Sequence, residues 1–203
     1  MSETPDRTVE AFLALVAERG FAHVTLADVA KAASLGVGEL YRLHPDKVSL
    51  VTSFMRGVDS QVLADTPRDP DPEETPRDRL FDVMMRRYDA LRPHRDALRE
   101  IRHAAVRDPL LALALGPALM RSMGAMLEAA ALPSDGLVGA LRQNGLLTIH
   151  YAVSRTFERD ETGDLSKTMA ALDHRLKAAE RWSQLFERKR VSPRTRESDA
   201  TVR

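Results

Sequence analysis

The feature that most constrains the fold is a helical spacing of apolar residues along nearly the whole 203-residue chain, with almost no pattern typical of β-strands. The first stripe recurs at three- and four-residue steps before Gly20, a residue type that often ends helices, and consists of Val9, Phe12, Leu13 and Val16. Hydrophobic residues make up 43 % of the chain, which is enough for a buried core. The spacing therefore predicts an all-α protein.

Capping residues and chain breakers set the predicted helix limits. Thr25 and Asp28 fit a capping box that opens a helix over 26–33, and a tight turn over 34–36 separates it from a helix over 37–43. Asp46 can cap a helix that runs towards Leu63. Longer helices are predicted over 77–91, 93–107, 109–131 with a break near Gly116-Pro117, 134–159 and 165–190.

These limits divide the chain into a small helical domain over 1–47, a connecting helix over 48–64, a larger helical body over 65–190 and a tail over 191–203. Residues 65–77 contain four prolines and almost no apolar residue, which predicts a linker or an exposed loop. The tail is polar, and we expect it to be disordered.

Composition and charge exclude several classes of protein. The 30 basic and 30 acidic side chains cancel, so the whole chain is not a polybasic nucleic-acid binder. The absence of cysteine excludes a disulfide scaffold, a thiolate zinc site and a cysteine nucleophile. The most apolar stretch, 109–120, is too short to cross a bilayer, and no signal-peptide pattern is present. We therefore expect a soluble, cytoplasmic protein.

The sequence predicts no enzyme, no metal site and no cofactor. It lacks a nucleophile-elbow motif and a glycine-rich phosphate loop. The acidic residues over 160–164 are more typical of a solvated turn with a helix cap than of a cation site. Metal-ligand spacing is also absent among the scattered histidines His94, His103, His150 and His174.

The segment over 26–43 has the dimensions of a helix-turn-helix motif, in which the first helix braces a second that enters the major groove of DNA. Its sequence resembles the TetR family of transcriptional regulators. The resemblance lies in residues 25–33 and in Gly38, Leu40, Tyr41, Arg42, Pro45, Asp46 and Lys47. It implies a homodimer that binds double-stranded operator DNA, and a larger domain that binds a ligand.

The resemblance also implies a set of DNA-contacting residues. Tyr41 and Lys47 correspond to residues that contact phosphates. Tyr41 could at the same time pack partly on Phe21 and Val29, since a tyrosine has an apolar body and a polar tip, whereas Lys47 could merely cap a helix. Base or backbone contacts are implied for Val37, Glu39 and Arg42. The complete predicted set is Thr25, Gly36, Val37, Gly38, Glu39, Tyr41, Arg42, His44 and Lys47.

The motif departs from the family pattern at Gly36, where a capping serine is usual, and at Glu39, Leu43 and His44. Residues 1–64 contain six basic and eight acidic side chains, a net charge of −2. A carboxylate at position 39 would repel phosphates, or it could accept a hydrogen bond from a cytosine amine.

The larger body is rich in methionine, a flexible side chain that suits a hydrophobic small-molecule ligand and an ordinary core equally well. Residues over 79–94, 151–157 and 160–176 also resemble the lipid-binding proteins of ubiquinone biosynthesis, which share the fold but have lost DNA binding. The predicted pocket consists of Met84, Tyr88, His103, Met120, Met123 and Tyr151.

The last two long helices are expected to form the dimer as a four-helix bundle, with small residues at 136, 139, 140 and 145 allowing close approach. A basic amphipathic stripe over 175–190, which includes Trp182, suits packing in the domain or dimer better than a membrane surface. The sequence thus predicts a ligand-responsive homodimeric repressor of palindromic operators. The alternative is a lipid or isoprenoid carrier that does not bind DNA.

Overall fold

A computed structural model describes residues 7–67, 71 and 73–190, with side chains described as far as residue 181. Over these residues the chain forms α-helices and no β-strand, which confirms the all-α prediction. Short 3₁₀ turns follow α1, at Phe21–His23, and α5, at Arg92–His94. The helices are α1 Arg7–Arg19, α2 Leu26–Ala32, α3 Val37–Leu43, α4 Lys47–Ala64, α5 Pro76–Leu91, α6 Arg95–Arg107, α7 Pro109–Ala129, α8 Gly136–Phe157 and α9 Ser166–Arg190.

Side-chain caps fix the starts of the N-terminal helices where the sequence predicts them. The Thr25 hydroxyl accepts a hydrogen bond from the backbone N–H of Asp28, whose carboxylate accepts from the Thr25 backbone in return. Asp46 and Ser49 form the same reciprocal pair at the start of α4. Both capping residues lie in the extended conformation, so the chain turns sharply before each helix.

The N-terminal domain packs α1, α2 and α3 against the first turns of α4. Phe12, Val29, Leu40 and Leu50 are each fully buried and bring one residue from each helix into this core. Between α2 and α3, Ser34 adopts a left-handed φ of 59°, which makes the tight turn that the sequence predicts there.

The body is built around α4, which packs on α7 and α5, while α8 packs on both α7 and α9. Helix α1 also packs on α6, so the N-terminal domain contacts the body at a second place besides the α4 connection. Most of the apolar residues of the body are buried in one continuous core with those of the N-terminal domain.

The predicted break in α7 is wrong, because the helix runs unbroken through Pro117. Pro117 has no N–H to donate to the carbonyl of Leu113, but both residues are exposed, so water can solvate that carbonyl. With 21 residues, α7 is long and apolar enough to span a membrane by length and composition alone. Its buried side chains lie in the core and the helix packs on α4 and α8, as expected of a core helix.

Two of the three glycines of α8 are needed by the backbone of the protomer itself, and the third leaves space for a second chain. Gly136, the first residue of the helix, has a φ of +67°, a conformation that favours glycine. A Cβ at Gly139 would clash with the backbone carbonyl of Ser134, so this close approach is made within the protomer. At Gly145 nothing lies within 4 Å of a Cβ, and that position is open to a second chain.

The acidic loop between α8 and α9 is not a solvated turn throughout, because Asp160 is fully buried. Its carboxylate accepts hydrogen bonds from the backbone N–H and the hydroxyl of Thr168, each at 2.7 Å, and from Thr162. Arg95 of α6 donates to the Asp160 carbonyl oxygen. Asp160 thus connects the start of α9 to the first residue of α6. The sequence predicts only a turn and a helix cap in this loop, which is part of that role.

Acid pH should weaken the hydrogen bonds that the Asp160 carboxylate accepts. Burial raises the pKa of Asp160, but the hydrogen bonds from Thr162 and Thr168 together lower it by more, to about 2 from the ordinary value of 3.8. A lowered pKa in the folded state means that the stabilisation is present at neutral pH and is lost as the pH falls from about 4 to about 2. Asp160→Asn should therefore lower the free energy of unfolding by about 2 kcal/mol at pH 7 and flatten its decline over that range.

Urea unfolding at several pH values, monitored by circular dichroism, measures both effects. Glu161→Gln is the matched control, since its side chain is exposed and its neutralisation should leave the curve unchanged. An Asp160→Asn protein with wild-type stability at pH 7 would contradict the assignment.

Candidate nucleic-acid interface

Helix α3 lies at the surface of the N-terminal domain with one side anchored in the core. Leu40 is fully buried and provides the anchor. Around this anchor, Val37, Tyr41 and Leu43 are 52 %, 60 % and 58 % exposed. Glu39 and Arg42 are exposed on the same helix. We call these five exposed residues and Gly38 the α3 face.

The exposure of Tyr41 bears on both predicted roles of this residue, the phosphate contact and the partial packing on the core. Phe21 packs edge-to-face on Phe12, with ring centroids 6.1 Å apart, and Val29 is buried in the domain core. With 60 % of its surface exposed, Tyr41 lies mostly in solvent. It is the largest side chain that the α3 face presents.

Lys47 has a structural role that the sequence does not reveal. Its ammonium donates a hydrogen bond to the Phe21 carbonyl oxygen at 2.8 Å and lies 4.4 Å from the centroid of the Phe21 ring. Partial burial lowers its pKa. An ammonium has three N–H donors, so the tie to the 3₁₀ turn leaves donors for a phosphate. The phosphate contact stays a prediction.

The remaining residues of the predicted DNA-contacting set, Thr25, Gly36 and His44, lie outside the α3 face. The hydroxyl of Thr25 is used in its capping box, and Gly36 is the N-cap of α3 without a side-chain bond, as the missing serine implies. His44 is only 6 % exposed, which disfavours a side-chain contact with DNA, and its role stays a prediction. Its backbone N–H donates to the Leu40 carbonyl and closes the last turn of α3, so the chain turns inward there.

The α3 face is weakly charged. Over α2 and α3 the two basic side chains, Lys31 and Arg42, are balanced by Asp28 and Glu39. The carboxylate of Asp28 is held in the Thr25 capping box, whose hydrogen bonds lower its pKa. Glu39 is therefore the acidic side chain most exposed to an incoming phosphate. The α3 face therefore offers little positive charge to a phosphate backbone.

The six predicted pocket residues are not brought together. Met84, Tyr88 and Met123 are fully buried in the core. Tyr151 is 49 % exposed on α8, and His103 lies on α6, 3.8 Å from Glu100 of the same helix. Met120 lines a separate open groove of about 320 Å³.

The sequence analysis does not predict a buried polar group that lies in the same core as Met84, Tyr88 and Met123. The guanidinium of Arg87 on α5 is paired with the carboxylate of Asp59 on α4, and Arg87 is only 1 % exposed. Ser122 of α7 donates its hydroxyl to the same carboxylate oxygen at 2.6 Å. One sequence signal could have revealed it, since position 87 falls on the apolar stripe of α5 with Leu80, Met84 and Leu91.

Next to this pair, Tyr88 stacks on His150 of α8, with ring centroids 5.8 Å apart and the Tyr88 hydroxyl 3.1 Å from Nδ1 of the imidazole. Burial and the neighbouring charge of Arg87 lower the pKa of His150 to about 3, so its imidazole is neutral at physiological pH. Burial raises the pKa of Tyr88. The polar groups of α4, α5, α7 and α8 thus meet inside an otherwise apolar core.

A second groove, of about 680 Å³, lies where the N-terminal domain contacts the body. The 3₁₀ turn with Phe21 and His23 forms one wall, and Glu100 and Arg107 of α6 belong to the other. Among the residues that the structure describes, no group of three or more His, Asp or Glu side chains could hold a metal ion.

Residues 9–53 match a family model described as bacterial regulatory proteins, tetR family. The matched segment begins in α1, contains α2 and α3, and ends in α4. The N-terminal domain is thus similar to the tetR family of bacterial regulatory proteins. In the matched segment, α2, the turn at Ser34 and α3 form a helix-turn-helix, and the α3 face is exposed on it.

The described part of the chain has a TetR-like fold. It is similar to a TetR transcriptional regulator from Nitrosomonas europaea, at 21 % identity and a TM-score of 0.70, over 86 % of this chain and 97 % of that chain. A TetR transcriptional regulator from Rhodococcus sp. RHA1 gives 22 % identity and a TM-score of 0.59, over 84 % and 93 %. GusR of Salmonella enterica gives 21 % identity and a TM-score of 0.53, over 84 % of this chain and 94 % of that chain.

A comparison with curated protein sequences gives no significant match. The resemblance to lipid-binding proteins of ubiquinone biosynthesis receives no support from the structures or from the family match.

Proposed function

We propose that this protein is a cytoplasmic, ligand-responsive repressor that binds palindromic operator DNA as a homodimer. The observation that carries the proposal is the α3 face, an exposed surface on the second helix of a TetR-family helix-turn-helix. A helix in this position enters the major groove, where Tyr41 can contact a phosphate and Arg42 a base edge or a phosphate. Val37 can pack against a thymine methyl group.

The proposed dimer interface is the exposed apolar side of α8, continued by α9. Leu137, Val138 and Leu141 are 79 %, 57 % and 65 % exposed, and Tyr151 and Met169 add to this surface at 49 % and 41 %. Large exposed apolar side chains on neighbouring helices favour contact with another protein surface over water. Gly145 lies on the same helix with open space above it, so the second copy can approach closely there.

The contacts of α4 and α6 support a route from ligand to DNA. Helix α4 begins in the DNA-binding domain and packs on α7, while α6 packs on α1. A ligand that binds more tightly to a body in which these helices have shifted would favour dimers whose α3 helices are wrongly spaced for adjacent half-sites. Operator affinity would then fall.

Selection from sheared genomic DNA of the source organism tests the proposal. The purified full-length protein retains fragments, which are sequenced, and a Tyr41→Ala/Arg42→Ala variant serves as the control. Both positions are exposed, so the variant should fold normally, whereas Lys47→Ala would also break the bond to the Phe21 carbonyl. Enrichment of one palindromic sequence by the wild type alone supports the proposal. No enrichment by the ligand-free protein at low salt contradicts it.

Glu39→Ala should strengthen non-specific DNA binding by about two- to five-fold, because it removes an exposed carboxylate from the α3 face. Fluorescence anisotropy with a random-sequence duplex measures the effect, and the increase should shrink as salt is raised. Glu18→Ala, an exposed acidic position outside α3, is the control. If Glu39→Ala instead lost discrimination at a single base pair, Glu39 would be a base-reading residue.

A further inference from the structure

The loop that joins α8 to α9, residues 158–165, is connected to α6 by arginine side chains. One of these connections is a buried ion pair between Arg102 of α6 and Glu158, the first residue of the loop. Nε and Nη2 of Arg102 donate to the two carboxylate oxygens of Glu158 at 2.5 and 2.6 Å, the geometry that a guanidinium favours. Glu158 is only 8 % exposed, so solvent screens this pair weakly.

Two further arginines bind the same loop through its backbone. Arg95, the first residue of α6, donates to the carbonyl oxygen of the fully buried Asp160. Arg92, in the 3₁₀ turn before α6, donates to the Gly163 carbonyl oxygen at 2.5 Å. We call Arg92, Arg95 and Arg102 the arginine clamp. Together they hold both ends of α6 to the connection between α8 and α9.

The other contacts of α6 include the N-terminal domain. The helix packs on α1 and on the 3₁₀ turn at Phe21–His23, where a Cβ at Gly20 would lie 3.4 Å from Oε2 of Glu100. His94, directly before α6, lies 3.7 Å from Glu10 of α1. Among the described helices, α6 packs mainly on α1 and α7, so its contact with the α8–α9 segment is made chiefly by the arginine clamp.

We propose that the arginine clamp fixes the separation of the two N-terminal domains in the dimer, and with it the half-site spacing that the protein accepts. This inference rests on the proposed function, in which α8 and α9 form the dimer interface. The clamp holds α6 to the end of that interface, and α6 supports α1. Without the clamp, the two α3 helices can sample a wider range of separations. Arg102 is thus a positioning residue that acts through α6 and not through a contact with DNA.

Duplexes that carry the selected palindrome with its own spacer, or with one base pair added or removed, test the proposal. Each change moves the half-sites by about 3.4 Å and rotates one relative to the other by about a tenth of a turn. The wild type should bind the altered duplexes at least about tenfold more weakly, and Arg102→Met less than about threefold more weakly. Arg99→Met is the matched control, because Arg99 pairs with Asp96 of its own helix at 2.8 Å, and it should behave as the wild type.

Wild-type spacing discrimination in a folded, dimeric Arg102→Met protein would overturn the inference, as would a wild type that binds all three duplexes equally. If Arg102→Met does not fold, Glu158→Gln takes its place, since it keeps the shape of the side chain and removes the charge. It should weaken the spacing discrimination in the same direction. A Glu158→Gln protein with the wild-type preference would then overturn the inference.

A measurement without DNA distinguishes the failure of this inference from that of the proposed function. The chain contains no cysteine, so Lys31→Cys, at an exposed position of α2, takes one spin label per protomer. Pulsed electron paramagnetic resonance gives the distribution of distances between the two labels of a dimer. The distribution should be broader with Arg102→Met added than with Arg99→Met added, and equal widths would overturn the inference. A protein that enriches a palindrome but shows equal widths retains the proposed function and loses only the role of the clamp.

Discussion

Asp59→Ala is expected to lower the free energy of unfolding by about 3 to 5 kcal/mol, one of the two largest effects that the structure implies. The substitution leaves the guanidinium of Arg87 charged, 1 % exposed and without its carboxylate partner. It also removes the acceptor of the Ser122 hydroxyl. Breaking one side of a buried ion pair costs this much because the remaining charge cannot be solvated. Urea unfolding followed by circular dichroism measures the difference.

Two further variants show whether the cause is the unpaired charge. Asp82→Ala removes an exposed carboxylate from α5 and should change the stability by no more than about 0.5 kcal/mol. The double variant Asp59→Leu/Arg87→Met removes both charges and should recover much of the loss, since apolar replacements of a buried pair are often neutral. A wild-type unfolding curve for Asp59→Ala would show that the pair does not stabilise the fold.

Leu141→Asp should convert the proposed dimer into a monomer and reduce affinity for the proposed operator by at least about 100-fold. Leu141 is 65 % exposed near the middle of the apolar side of α8, and a second copy would bury the new carboxylate. A monomer binds each half-site separately and loses the gain from simultaneous engagement. Light scattering after size-exclusion chromatography gives the mass, which should fall to the chain mass of 22.6 kDa.

The matched control is Leu113→Asp, which places the same charge at a leucine that is 74 % exposed on α7. It should remain dimeric and bind the operator normally, because Leu113 lies outside the α8 and α9 surface. If Leu141→Asp kept twice the chain mass, the proposed interface would be wrong.

Local signals were enough to predict the N-terminal helices. Thr25, Asp28 and Asp46 act within three residues of the helix starts that they determine, so their effect can be read from sequence alone. The predicted break at Gly116-Pro117 failed for a non-local reason. Proline costs a helix less where the freed carbonyl faces water, and the fold places Leu113 and Pro117 on such a side.

The interior of the body could not be predicted in the same way. Asp59 and Arg87 are 28 residues apart, and the spacing along the chain does not indicate that α4 and α5 bring them together. Asp160 poses the same problem, since its burial depends on Arg95 and on the packing of α6 against the loop. In both cases a charged residue is stabilised inside the protein by partners that only the tertiary fold supplies.

The α3 face could be predicted in part. The sequence places α3 at residues 37–43, where the structure has it. It does not indicate the burial of His44 or the bond from Lys47 to Phe21, because both are made by the tertiary fold. The contribution of each residue to DNA binding stays a prediction.

Residues 191–203, predicted to form a disordered tail, lie outside the described residues, as do the side chains of Trp182, Leu185 and Phe186 in the amphipathic stripe. Leu176, the first residue of that stripe, is 4 % exposed and packs in the core of its own chain. At this end of the stripe, packing within the domain is therefore the interpretation that agrees with the structure.

The most direct test of the α3 face as a sequence-reading surface is the affinity ratio between the selected palindrome and a shuffled duplex of the same composition. Fluorescence anisotropy at about 150 mM salt gives both dissociation constants. Binding to the palindrome should be tighter by at least about 1,000-fold for the wild type. The Tyr41→Ala/Arg42→Ala variant should lose most of that ratio while keeping its fold and its dimer mass. Equal affinity of the folded wild-type dimer for the two duplexes would contradict the proposed function.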